Sequence, residues 1–359
     1  MAVQKFDPSE LEIVSETPGL GGKGPGTPIY NFPVTPKEAF IATFKREPIW
    51  QITGVEQQFF SPSVNPDNIA RALVIEGQRT PPKEGPVPDM FGIEWEYVAK
   101  VGGSMVRPGK PFLEDANEWY DKVKFPDIDS WDWEGSAKLN QEFLASPKFI
   151  MVWFFNGWYE RLISFMEFEG AALALIDEDQ KQAVKDFFDK LSDFYIRLID
   201  KYLTYFPQIN GFCIHDDWGS QRETFFSPDV VAEMIVPYMR RVTDFIHSKG
   251  RFTDFHSCGM ALKQIPNMIA AGWDAWSGQP MNDTQKIYEL YGDKILIGVI
   301  PDPIDPNASE EEQRAAARAY AEKFCDPAKP SILNLYSNYT LPRAFRAELY
   351  KQSRIKYGE

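Results

Sequence analysis

Phe212-Cys213-Ile214-His215-Asp216-Asp217-Trp218-Gly219-Ser220-Gln221, a helical stretch running from Ser227-Pro228-Asp229 to Gly250, and then Phe252-Thr253-Asp254-Phe255-His256-Ser257-Cys258-Gly259 decide how this chain folds. The order is strand, loop, helix, strand, loop, which is one β/α unit with two polar clusters after its strands. Side chains alternate across a strand, so His256 and Cys258 face the same side and fit one metal ion, provided a third ligand comes from elsewhere.

The same rhythm extends in both directions. Phe149-Ile150-Met151-Val152-Trp153-Phe154-Phe155 is a continuous apolar run of the kind buried on both faces of a parallel sheet. A helix pair is expected from Trp158 to about Phe206, with Phe187, Leu191, Phe194, Leu198 and Ile199 at helical spacing. Downstream, strands are expected at 251–256, 275–278, 294–299 and 331–335, with helices at about 261–271, 284–291 and 309–325 between them. Upstream, Thr35 before Pro36 opens a helix to about Lys45, Ile49 to Val55 reads as a first strand ending at Glu56, and Met90 to Val98 followed by Gly102-Gly103 reads as a hairpin. Strands alternating with helices mean a parallel sheet. The count from Ile49 comes to roughly eight, which predicts an α/β fold of the (β/α)₈ TIM-barrel type. No glycine-rich phosphate loop follows a strand, which argues against a dinucleotide-binding sheet. Residues 1–35, rich in Pro and Gly, are expected to form an irregular amino-terminal arm, and 36–359 the barrel.

With 52 acidic against 38 basic residues, the net charge of −14 disfavours nucleic acid or an anionic membrane surface as a partner. Cys213, Cys258 and Cys325 are few, odd in number and far apart, so they are no disulfide framework and fit a reducing compartment. No basic amino terminus leads into an apolar stretch, and no uncharged apolar run approaches about 18 residues, so a cytoplasmic, non-membrane protein is expected. Whether it is a monomer or a homodimer is left open.

Barrel chemistry sits at the carboxyl ends of the strands, and there this chain repeatedly places polar residues: Glu56, Asn156, Asp216, Asp217, Gln221, His256, Cys258, Gln279, Asn282, Asp283 and Asp302. Cys325 ends a helix that runs back to the other side of the barrel, and Cys213 lies within a strand, where a thiol packs as a small hydrophobe. The third metal ligand is therefore sought among Glu56, Asp217 and Asp302.

Thr35-Pro36-Lys37-Glu38, Lys124-Phe125-Pro126-Asp127, Trp158-Tyr159-Glu160-Arg161-Leu162 with Phe168-Glu169-Gly170, His215-Asp216-Asp217-Trp218-Gly219-Ser220-Gln221, Ser227-Pro228 and His256-Ser257-Cys258-Gly259 together resemble the uroporphyrinogen decarboxylase-like superfamily, and within it the corrinoid-dependent methyltransferase branch. The resemblance runs from about residue 35 to the carboxyl end and implies a (β/α)₈ barrel with its site at the strand ends. In that branch it also implies zinc held by an H-x-C motif and a further cysteine near the last strand. His256 and Cys258 match the motif, but the run from Ser331 to Tyr339 contains no cysteine. The arginine cluster with which decarboxylases of the superfamily hold four acidic arms is likewise missing, since Arg46 is the sole arginine near that point.

These residues lead to the expectation of a methyltransferase that demethylates a small donor, an aryl methyl ether, onto the Co(I) of a corrinoid (cobalamin) carried by a separate corrinoid protein. His256, Cys258 and Asp217 would hold zinc, with Asp217 and His256 catalytic. Phe155, Trp158, Trp218, Gln221, Trp276 and Tyr336 would contact the donor, aromatic faces suiting an arene. The alternatives are a decarboxylase of the uroporphyrinogen type, a methyltransferase for a methylthiol, methylamine or methanol, and a catalytically silent barrel serving as a binding subunit.

Overall fold

In a computed structural model of the chain, residues 5–17, 26–78, 85–100, 102–305, 307–336 and 341–358 are described. The chain divides into two compact units. The larger comprises 58–146 and 150–282, and the smaller 1–57, 147–149 and 283–359.

Seven strands carry the β/α alternation. In chain order the first part runs β1 (Gln57–Phe60), β2 (Phe149–Phe154), α1 (Trp158–Ala174), α2 (Lys181–Tyr205), β3 (Gly211–His215), α3 (Pro228–Met234), α4 (Val236–Ser248), β4 (Phe252–His256), α5 (Ile265–Ala270) and β5 (Ala275–Trp276). Within the larger unit the strand order is β5-β4-β3-β2-β1. The pairs β2–β3, β3–β4 and β4–β5 are parallel, and the register sets Trp153 beside Cys213, Cys213 beside Asp254, and His215 beside His256. β2 and β3 are buried almost throughout, as a strand covered on both faces must be. The helix expected from 227 to 250 breaks into α3 and α4 at Ile235, because Pro237 has no N–H to continue the ladder. Helix α1 begins against Asp216 and is interrupted at Glu167, whose φ of 58° and ψ of 178° belong to a region ordinarily reserved for glycine.

Between β1 and β2 the larger unit carries a three-stranded antiparallel sheet of Val87–Pro88, Glu94–Val98 and Gly103–Val106, so the expected hairpin is present. Asp89 shapes it, accepting hydrogen bonds from the Phe91 and Ile93 amides and from Trp95 Nε1. Asp67 and Asp89 both grip the fully buried guanidinium of Arg161 on α1. Burial works against that charge, but the two carboxylates raise the guanidinium pKa and keep it ionised.

The smaller unit holds α6 (Thr284–Tyr291), β6 (Leu296–Val299), α7 (Glu310–Phe324), β7 (Ile332–Leu333) and α8 (Arg343–Tyr357), with β6 and β7 parallel. Its amino-terminal part is more ordered than the irregular arm expected. Ile13–Thr17 pairs antiparallel with Thr27–Tyr30, and Glu10 accepts hydrogen bonds from Tyr350 and Arg354 of α8. The helix opened by Thr35 is present as Pro36–Phe44, closed by a reciprocal Thr35–Glu38 capping box.

The α/β class and its parallel strands stand, but the eight-stranded count is corrected to seven among the described residues. The segment Ile49–Val55, expected as the first strand, forms only one parallel bridge, Ile52 to Ile332. Gly54 at φ +88° then turns the chain, and the strand starts after Glu56 instead of ending there. The last strand is also shorter than expected, and residues 337–340 of that run lie outside the described residues.

Candidate metal centre

His215 ends β3, His256 ends β4, and the register makes them direct neighbours, their rings stacked 4.8 Å apart. Two residues beyond each histidine stand Asp217 and Cys258. Two H-x-[D/C] segments on adjacent in-register strands therefore deliver four ligand atoms to one place: one from each of His215, Asp217, His256 and Cys258, all within 4.8 Å of one another. The individual spacings suit a tetrahedral ion. His256 Nε2 is 3.4 Å from Cys258 Sγ, and His215 Nε2 is 3.6 Å from Asp217 Oδ1. Donors about 2.0–2.3 Å from a tetrahedral zinc stand about 3.3–3.8 Å from each other.

The loops after the strands are shaped for this. Asp217 Oδ1 accepts the Cys258 amide at 2.6 Å, tying one segment to the other. Asp216 points the opposite way and caps α1 by accepting the Tyr159 and Glu160 amides, together with Trp218 Nε1. Its burial pushes the Asp216 carboxyl up to about 7. Gly259, at φ +77°, packs so closely on the backbone of Gly219 that a Cβ would come within 2.1 Å of the Gly219 oxygen. Gln279 and Asn282 then fix this turn by accepting the Gly259 and Ala261 amides.

Behind the quartet, Glu160 of α1 meets His215 Nδ1 at 2.6 Å and Arg71 at 3.1 Å. A carboxylate on one ring nitrogen leaves the other turned toward the ion site, the usual backing of a histidine ligand. Burial alone would raise the Glu160 carboxyl, but Arg71 and His215 outweigh it and hold it at about 2. Burial would lower His215, yet Glu160 and Asp217 hold it well above the ordinary histidine value. For His256, burial and the neighbouring His215 charge act together and push it down to about 3, so its ring is neutral and has a lone pair to donate. Burial also raises the Cys258 thiol.

Arg71, Glu160, Asp217 and Gly219 open onto a cleft of about 540 Å³, whose other walls include Trp95, Phe168 and Phe225. Its charged lining comprises Glu160, Glu167, Glu169 and Asp217 against Arg71. Arg71 lies over the faces of Trp95 and Phe155, 4.8 and 5.1 Å from their centroids.

Of the residues singled out from sequence, Asp217, His256 and Cys258 come together, and Phe155 lies beside them, 5.7 Å from the His215 ring. Trp158, Trp218 and Trp276 are fully buried; Trp158 Nε1 bonds Ser192 Oγ and Trp218 packs on Phe255. Gln221 is exposed and outside the cleft lining. Tyr336 belongs to the smaller unit and is 40% exposed. Glu56 and Asp302, the other candidate ligands, are engaged within the smaller unit, by Trp50 and Thr53 and by Gln285 respectively. Cys325 is there too, its thiol on Gln51 Oε1. The fourth ligand candidate, His215, was missed, although its H-x-D segment parallels the H-x-C that was recognised.

A parallel β/α scaffold with a histidine, aspartate and cysteine cluster at its strand ends is thus the class defined by fold and site. Residues 167–338, which contain the whole quartet, match the family model of uroporphyrinogen decarboxylase (URO-D), so that stretch is similar to this family. Among solved structures, a methyltransferase from Methanosarcina mazei aligns over 89% of this chain and 98% of its own, at 16% identity and a TM-score of 0.57, a likeness of fold. A 2,3-dimethylmalate lyase (12% identity, 60% of this chain and 72% of its own, TM-score 0.29) and an endo-beta-1,4-mannanase from Thermotoga petrophila (10%, 69% and 69%, 0.32) superpose too loosely to bear on fold or site. Among curated protein sequences none matches the chain.

Proposed function

We propose that the chain is the substrate-demethylating methyltransferase of a corrinoid-dependent system, taking a methyl group from an aryl methyl ether to a corrinoid carried by another protein. The observation that carries this reading is a ligand quartet whose Asp217 lines a cleft with aromatic walls. The fold likeness to a methyltransferase supports it. The carboxylate-rich lining disfavours the decarboxylase alternative, because a polycarboxylate would meet Glu160, Glu167, Glu169 and Asp217 with Arg71 alone to offset them.

His215, Asp217, His256 and Cys258 would hold zinc, which would supply Lewis-acid stabilisation of the phenoxide that must leave. The corrinoid supplies the cobalt(I) nucleophile. In such a transfer the O–CH₃ bond would break with the bonding pair left on oxygen, the methyl group would go to the acceptor, and the phenoxide would take up a proton. Trp95, Phe168 and Phe225 stack on the arene and exclude water; Arg71 and Glu160 fix the His215 ring. Asp217, with 28% of its side chain exposed, faces the cleft and would orient the donor beside the ion. The test is incubation with cob(I)alamin and a panel of donors. Guaiacol and veratrole are expected to consume the cob(I)alamin absorbance faster than methanol, methylamines or methylthiols. An equal or faster reaction with methanol or a methylthiol would overturn the substrate class, and decarboxylation of a porphyrinogen without corrinoid would overturn the reaction.

Asp217→Asn is expected to lower methyl transfer by about 10²-fold or more, the scale of a lost acid–base or charge-stabilising group, with little change in melting temperature. Earlier melting at unchanged specific activity would instead mark Asp217 as structural.

Zinc uptake has a definite proton stoichiometry. In the metal-free site His215 is held protonated and Cys258 is a thiol, and both must lose a proton to become ligands. About two protons should therefore be released per ion near neutral pH, and affinity should rise with pH there and fall on acidification. Calorimetry in buffers of different ionisation enthalpy measures this; uptake without proton release would refute the protonation states given.

A further inference from the structure

The smaller unit contains a cavity that plays no part in this chemistry. Its volume is about 140 Å³, and its walls are Phe32, Trp50 and Tyr350 with Tyr30, Lys148 and Arg346. Phe32 stacks on Trp50 at 4.8 Å and tilts against Tyr350 at 5.3 Å, giving two flat faces and an edge. Tyr350 is held in place by its hydroxyl on Glu10 Oε2.

Arg346 is the unusual member. It is 8% exposed, yet among the described residues its guanidinium has no hydrogen bond and no ion pair. The carboxylate on the same cavity wall, Glu56, is already committed to Trp50 Nε1 and the Thr53 amide. Burial lowers the pKa of Arg346 and, on the same wall, that of Lys148. A guanidinium removed from water without a partner is costly, and a cavity kept open beside it leaves room for the partner.

We propose that this cavity binds a small monocarboxylate, its carboxylate on the Arg346 guanidinium and its apolar body between Phe32, Trp50 and Tyr350. A guanidinium presents a planar fork that matches a carboxylate at two points. The walls are otherwise aromatic, which suits an apolar body and not a heavily hydrated phosphate. The volume suits a single ring, since an engineered cavity of about 150 Å³ in another protein takes up benzene. Lys148 adds positive charge on the same wall.

The test uses the full chain and a matched pair of probes, benzoate and benzamide, which share a ring and differ in charge, with inorganic phosphate as a third. Titration calorimetry is expected to show benzoate binding, benzamide at least about ten-fold weaker, and no uptake of phosphate. Arg346→Met should weaken benzoate by about ten-fold or more while melting no earlier than wild type, because it removes an unpaired buried charge. Should that variant fail to fold, Arg346→Lys takes its place and should weaken benzoate to a smaller extent. Absence of benzoate binding at millimolar concentration, equal binding of benzamide, preferred binding of phosphate, or benzoate binding indifferent to Arg346 would each overturn the proposal.

Discussion

Cys258→Ala protein, purified without added metal, is expected to contain under about one tenth of the wild-type zinc and to transfer no methyl groups. The wild type should hold about one ion per chain, the stoichiometry of a single four-donor site. Cys258 contributes the soft donor of the quartet, and its loss leaves two imidazoles and a carboxylate around a solvent-facing gap. Cys325→Ala is the control. That thiol is buried on Gln51 in the other unit, so its replacement should leave metal content unchanged. Metal analysis of both variants decides the matter: loss of zinc from Cys325→Ala and not from Cys258→Ala would refute the assignment of the centre.

The largest expected effect on stability comes from Arg161→Met. Asp67 and Asp89 both pair with that guanidinium and have no access to water. Removing it leaves two buried carboxylates facing each other, and stripping one partner from a buried ion pair costs about 3–5 kcal/mol. Set against the roughly 5–15 kcal/mol by which a domain is stable, this is a large share of the total and should lower the denaturation midpoint markedly. Denaturant titration measures it; a midpoint close to wild type would show that the carboxylates accept protons and that the triad has no structural role. Asp89 also sets the hairpin through Trp95, so the loss should be felt in the cleft wall as well as in the core.

Much of this architecture is legible in the chain because strand alternation and capping are local. Thr35-Pro36, the run from Phe149 to Phe154, and the β3 and β4 segments all form near the expected bounds. The first strand was misplaced because its apolar residues promise pairing on either side of Gly54, and only the three-dimensional neighbours decide which side is used. His215 was missed for a related reason. Register between strands separated by about forty positions is not written in either strand, so the likeness of H-D-D to H-S-C has meaning only once the two are seen side by side. The backing of the site was less visible still. Arg71 caps the short helix Pro66–Ala70 and Glu160 comes from α1, and nothing in their spacing points to His215. Aromatic content was a poor guide to the cleft, because Trp158, Trp218 and Trp276 fill the interior, whereas Trp95, Phe168 and Phe225 come from the hairpin, from just beyond the break in α1 and from the loop before α3.

Glu160 and Arg161 are consecutive on α1, and their side chains pull in different directions. One holds a histidine of the ligand quartet, while the other grips the two aspartates beneath the hairpin. One peptide unit thus joins the candidate ligand quartet to the wall of the cleft. If the quartet holds zinc as proposed, withdrawing the ion would change the charge on His215 and the load on Glu160, and Arg161, bonded to Asp89 and through it to Trp95, would carry that change to the cleft wall. Protease cutting within 94–106 should then differ between chelated and zinc-loaded protein, giving a reading of occupancy taken at a distance from the ion.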